Sequence, residues 1–203
     1  LPVRRVRQDA ECIDRALSLN GGAGSRDAQT LPGRLHWHIQ PGLMSWRITL
    51  LADCCMDRPV EVQLQAGLST LSLQLNDHPS QWPAAWLSGL GAPWNTIGLQ
   101  GQIHVQPSQL HWQWNNATWL MQGQAQLSLL DMSSNLSSLK PLGSYVLQLQ
   151  GGEMPALTLH TTQGGLLLEG RGTWQQGQLQ FNGHAGAKPG FESVLSNLLG
   201  VIG

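Results

Sequence analysis

From Leu35 to Phe181, apolar and polar positions alternate with a period of two. Leu35, Trp37 and Ile39 are interleaved with His36, His38 and Gln40, and Trp46, Ile48 and Leu50 resume the pattern after Pro41-Gly42. Val62 and Leu64 follow, then Leu71, Leu73 and Leu75, then Ile97, Leu99, Ile103 and Val105. Leu110, Trp112 and Trp114 come after Pro107-Ser108, and further runs centre on Leu127, Leu147, Leu157, Leu168 and Leu179. Successive side chains of a strand point to opposite faces, so each run predicts a strand with one apolar and one polar face. Turn signals at Pro41-Gly42, Asn76-Asp77, Pro107-Ser108, Gly151-Gly152, Gly164-Gly165 and Gln176-Gly177 separate the runs. They stand too close together for crossover helices, so the sheet is expected to be mainly antiparallel.

Helical signals are few. Asp9 to Leu19 reads as one helix with Asp9 as N-cap, and Pro83 to Leu90 as a short helix closed by Gly91. Leu136 to Leu139 reads as a helical turn. Phe191 to Ile202 predicts a terminal helix whose apolar stripe holds Phe191, Val194, Leu195, Leu198, Leu199 and Ile202. The fold class expected is all-β in one domain over residues 1–203, as a long curled sheet or half-open barrel with the C-terminal helix on its apolar face. Gly101, Gly170, Gly172 and Gly183 fall inside strand runs, where glycine marks bends or close packing, and so favour the curled sheet over a two-sheet sandwich.

Charge changes the picture mainly by its scarcity. Charged residues make up 11% of the chain, hydrophobic residues 41%, and the net charge is -1. That balance supports a core and gives no electrostatic case for nucleic acid. Beyond Glu61 the charges thin to Asp77, Asp131, Lys140, Glu153, Glu169, Arg171, Lys188 and Glu192. A surface kept polar by Gln and Ser has weak protection against association, which points to a protein that works beside a partner. No stretch reaches the length of apolar residues that suggests a membrane span. Because the sequence starts at Leu1, a removed targeting or membrane segment is also considered.

Candidate chemistry is thin. Nucleophile-elbow, zinc-protease, Walker A and dinucleotide motifs are missing. His36 and His38 share a strand face, and His104 and His111 flank Pro107-Ser108, yet no Cys or carboxylate stands at a matching place to complete a metal site. Cys12, Cys54 and Cys55 fit no metal spacing; they read first as free thiols, and second as a bond from Cys12 to Cys54 or Cys55 in an oxidising compartment. Trp112 and Trp114, with Trp119 nearby, read first as packing in an apolar register and second as a ligand platform. Catalytic, metal and cofactor residues are all expected to be none.

Several segments carry a family resemblance. Leu87 to Gly101 contains Gly91-Ala92-Pro93-Trp94-Asn95-Thr96, and Pro141 to Tyr145 runs into Leu147 to Gly152. Gly170 to Trp174 is followed by Ala187 to Gly203, with its Leu195-Ser196-Asn197-Leu198-Leu199 helix. Earlier, Gly33 to Leu43 forms a strand ending in Pro and Leu. Together these resemble the type II secretion system protein N family, whose usual Gly-Thr-Trp-Ser-Gly stretch is replaced here between Gly21 and Thr30. The resemblance implies the periplasmic domain of a Gram-negative inner-membrane protein, with Leu1 to Val6 just after its membrane span. It implies a non-enzymatic role linking or stabilising the inner-membrane platform and the outer-membrane secretin during export of folded proteins.

The alternative reading is a periplasmic lipid or hydrophobic-ligand binder with an apolar groove. Structural or interaction roles are expected for Leu90, Gly91, Pro93, Trp94, Trp112, Trp114, Leu195, Leu198 and Leu199. In this reading Gly91 and Pro93 end a helix sharply and fold Trp94 onto the sheet edge as a buried plug.

Overall fold

The computed structural model describes residues 18–19, 29–30, 35–90, 94–115, 118–175 and 177–202. A two-residue pair, β1 (Ser18–Leu19) with β2 (Gln29–Thr30), precedes the main sheet. The next strands are β3 (Leu35–Pro41), β4 (Ser45–Ala52), β5 (Val60–Ala66), β6 (Thr70–Leu75) and β7 (Ser80–Pro83). A 3-10 helix (Ala84–Leu90) and a single helical turn, α1 (Trp94–Ile97), lead to the long strands β8 (Gln100–Asn115) and β9 (Thr118–Ser133). Then come β10 (Gly143–Gly152), β11 (Ala156–Gly164), β12 (Leu166–Gln175), β13 (Gln178–Ala187) and the helix α2 (Glu192–Ile202).

Strands β3 to β13 form one open eleven-stranded sheet in the order β13-β12-β11-β10-β9-β8-β6-β5-β4-β3, with β7 beside β8. Every pairing is antiparallel. The period-two runs therefore become strands of a single sheet, except that Ile97 closes α1 and Leu99 stands just before β8; the sandwich alternative is not the one adopted. Strands β6 and β7 lie end to end along one edge of β8, β6 on its second half and β7 on its first.

The register keeps one face apolar across the sheet. Ile39 pairs with Ile48, Ile48 with Val62 and Val62 with Leu75. Farther along, Val105 pairs with Leu127, Leu127 with Leu147 and Leu147 with Leu159. The other face carries Gln106, Gln126 and Gln148 in one row.

Pro107-Ser108 is not the expected hairpin turn. β8 runs straight through it, and the register shifts between Ser108 and His111. The apolar positions change parity there, from Ile103 and Val105 to Leu110, Trp112 and Trp114. One extra residue in β8 restores them to the same face, which is what a β-bulge does. Gln109 takes a φ of 51° in the bulge, and its N–H is accepted by the Asp77 carboxylate. Opposite it, Gly123 has a φ of 82°, and a Cβ there would strike the Gln109 carbonyl. His104 and His111 thus sit on one continuous strand rather than facing each other.

The core lies at one end of the apolar face. Leu195 and Leu198 of α2 are buried against Ile103, Met132, Tyr145, Leu166, Ala84 and Leu142. Glu192 accepts a bond from the Gly190 N–H at the start of α2. A second cluster at the same end holds Ala52, Cys55 and Met56 with Trp82 and Trp86, whose rings stack 5.3 Å apart.

Two further expectations change. Cys54 and Cys55 are bonded to each other, and Cys12 lies outside the described residues. The chain reverses directly after β4, where the Cys55 and Met56 N–H groups both donate to the Ala52 carbonyl, and this tight turn brings the neighbouring thiols together. Most of the helix expected over Asp9 to Leu19 lies outside the described residues, but Ser18–Leu19 are extended and paired with β2. Leu136 to Leu139 belong to an irregular loop closed by the Ser134 and Ser137 hydroxyls, which compete with the helical bonds.

Candidate functional site: an apolar face covered at one end

The sheet is an up-and-down meander, and its hairpins β3–β4, β5–β6, β8–β9, β10–β11 and β12–β13 turn at one end, while β11–β12 turns through Gly165 at the other. Helix α2, the 3-10 helix and the disulfide turn occupy the opposite end. Toward the hairpins the apolar face stays open. Trp37, Ile39, Trp46, Leu71, Trp114, Leu179 and Phe181 each retain between 38% and 49% of their surface in solvent.

The face is also drawn inward. Trp119 on β9 and Trp174 on β12 meet edge-to-face at 6.3 Å, although β10 and β11 lie between their strands. Three strand spacings amount to roughly 14 Å on a flat sheet. Both residues are in the apolar register, paired with Trp114 and Leu179, so the sheet curls toward that side. On the same β12–β13 pair Phe181 lies against Gly170 and Gly172, where a Cβ on either glycine would meet the ring. These glycines make room for an aromatic on the apolar face.

The residues singled out from sequence fall into three groups. Leu195 and Leu198 are buried in the core and Leu199 is packed against it. Trp112 and Trp114 stand side by side in β8, flanked by Leu73 and Leu71 of β6 and by Met121 and Trp119 of β9. Leu90 ends the 3-10 helix, while Gly91 and Pro93 lie outside the described residues. Trp94 begins α1 but is 39% exposed, so it is not the expected buried plug. Trp82 and Trp86 take that place, because Trp82 is anchored in β7 and its Nε1 donates to the Ser80 hydroxyl. Their Trp and Pro spacing in Gln81 to Trp86 was the available signal.

On the polar face, the register aligns His160, Glu169 and His184 across β11, β12 and β13 beside a shallow depression of about 700 Å³. No group of three His, Cys, Asp or Glu residues is arranged to hold a metal among the described residues. His36 on β3 lies 3.8 Å from the Asp53 carboxylate in the turn after β4, an exposed contact. Burial pushes the Tyr145 phenol up to about 12. Its hydroxyl donates to the Leu166 carbonyl at 3.2 Å, so the group serves packing inside the core.

The arrangement presents hydrophobic surface at one end of a sheet whose other end is closed by its own chain. No helix of the described residues is long and apolar enough to cross a membrane. Among known proteins, the model of a family described as type II secretion system (T2SS), protein N, matches residues 15–203. No curated protein matches the chain. No solved structure matches it either.

Proposed function

Because the chain belongs to the type II secretion system protein N family, we propose that it is a non-enzymatic accessory part of that apparatus, linking or stabilising the inner-membrane platform and the outer-membrane secretin from the periplasmic side. The observation that carries this reading is the family match over nearly the whole chain. The half-exposed apolar face supports it, since such a surface on a charge-poor protein calls for a partner. Trp94, Trp112 and Trp114 are proposed contact residues, and Leu195, Leu198 and Leu199 pack the covered end of the sheet.

The test is photocrosslinking in the intact cell envelope from probes at Trp94, Trp114 and Leu179. Attachment to a platform protein or the secretin is expected, together with reduced secretion when the gene is deleted. Unchanged secretion without the gene would refute the role. A second reading, binding of a lipid or another hydrophobic molecule, is favoured by the same open face. Crosslinks to lipid alone would select it.

A further inference from the structure

The hairpin end of the sheet carries an apolar fringe beyond the face itself. Leu43 at the β3–β4 turn and Leu68 at the β5–β6 turn are fully exposed, and Met44 and Met154 are largely so. Met154 stands in the β10–β11 turn. Just behind these tips lie Trp46, Trp114 and Trp119. A hollow of about 570 Å³ opens there among Leu68, Leu71, Trp114 and Trp119.

We propose that this rim is a lipid-docking edge, with Leu43, Met44, Leu68 and Met154 entering the acyl region of a bilayer surface and the tryptophans resting at headgroup depth. Hairpins recur every two strands, or roughly 10 Å, so the fringe offers separate protruding side chains rather than one flat patch. A protein interface needs a contiguous packed centre. A fluid hydrocarbon layer receives separated points equally well. Tryptophan favours the bilayer interface because its ring is apolar and its N–H is polar.

Charge also selects the occupant. The segments Pro41 to Arg47, Gln65 to Leu71, Gln113 to Leu120, Gln150 to Ala156 and Trp174 to Leu179 contain one cation, Arg47, and one anion, Glu153. That rim offers no attraction to anionic headgroups and no penalty for uncharged ones. The fitting surface is therefore zwitterionic lipid, bound through apolar insertion with little dependence on salt. The inference rests on the rim's geometry and stands apart from the secretion role.

Flotation of the full chain with phosphatidylcholine vesicles, at low and high salt, tests it. The chain is expected to float in both, and brominated phosphatidylcholine to quench its tryptophan emission. Leu43→Ser, Leu68→Ser and Met154→Ser combined should lower the bound fraction about tenfold or more, with the strand signal in circular dichroism unchanged. Val194→Ser, at the α2 end, should float like the parent. Failure of the parent to float, unquenched emission, or undiminished flotation of the triple variant would each overturn the proposal. So would a triple variant that floats normally but loses self-association, because the rim would then belong to a second copy of the chain.

Discussion

Tyr145 and Trp94 show how burial sets the weight of a single side chain. Tyr145 is buried, and its ionisation is pushed from 10.0 to about 12 because the phenolate would sit without solvation. Between those values the folded state holds a proton that the unfolded state has lost. Stability from this group is therefore complete below pH 10 and falls as pH rises through 12. Tyr145→Phe should flatten that alkaline decline in a pH series of denaturant titrations, while costing about 1 kcal/mol at neutral pH from the lost hydrogen bond. An equally steep decline in the variant would place its cause elsewhere. Trp94 is the opposite case. With 39% of its surface in water, it no longer justifies the loss of roughly 3–5 kcal/mol expected of a buried aromatic. Leu195, fully enclosed in the core, does justify a large loss, roughly 2–5 kcal/mol on change to Ala. Chemical denaturation should rank Leu195→Ala well below Trp94→Ala in stability; the reverse order would restore Trp94 as a plug.

Among the elements, α2 was readable from sequence because its apolar residues recur on one helical face, and Leu195 and Leu198 indeed face the core. The strands were readable for the same reason at period two. β8 was not, because the change of parity after Val105 looks the same whether the chain turns or bulges, and only the pairing with β9 distinguishes the two. The Cys54–Cys55 bond depends on the turn after β4, whose backbone bonds leave no periodic trace. Alternation marks Trp114 as a candidate interaction residue but leaves the exposed tips Leu43, Leu68 and Met154 unmarked. They interrupt the alternation as lone apolar residues within turns, and their common end emerges only from the strand order. The packing of α2 yields its own expectation. Deleting Glu192 to Ile202 uncovers Ile103, Tyr145 and Leu166 but breaks no strand pairing. Binding of a hydrophobic dye should rise several-fold with the strand signal in circular dichroism retained. A coil-like spectrum would instead show that the sheet cannot stand without the helix.

The main sheet is open, so two strand edges, at β3 and β13, have no neighbour in it among the described residues. The β13 edge is ten residues long, from Gln178 to Ala187, and contains no Lys, Arg, Asp, Glu or Pro. Natural edges are normally guarded by such residues, because unpaired backbone N–H and C=O groups accept another strand. Here the guard is missing, and the adjoining apolar face is only half covered, so a joining strand would gain side-chain burial along with backbone bonds. This surface differs from the hairpin rim: it runs along the strand, whereas the rim lies across the strand ends. The edge is therefore expected to drive slow, concentration-dependent association of the purified chain. Leu179→Lys places a charge in the apolar register of this strand at a side chain already 41% exposed. Its aliphatic stem can stay on the sheet while the ammonium reaches water, so the cost to folding should be about 1 kcal/mol or less. Light scattering across a concentration series should show the parent growing in mass and the variant remaining small. Equal growth of both would exonerate β13 and move attention to β3, whose exposed Trp37 and Ile39 offer the same combination of free backbone and apolar side chains.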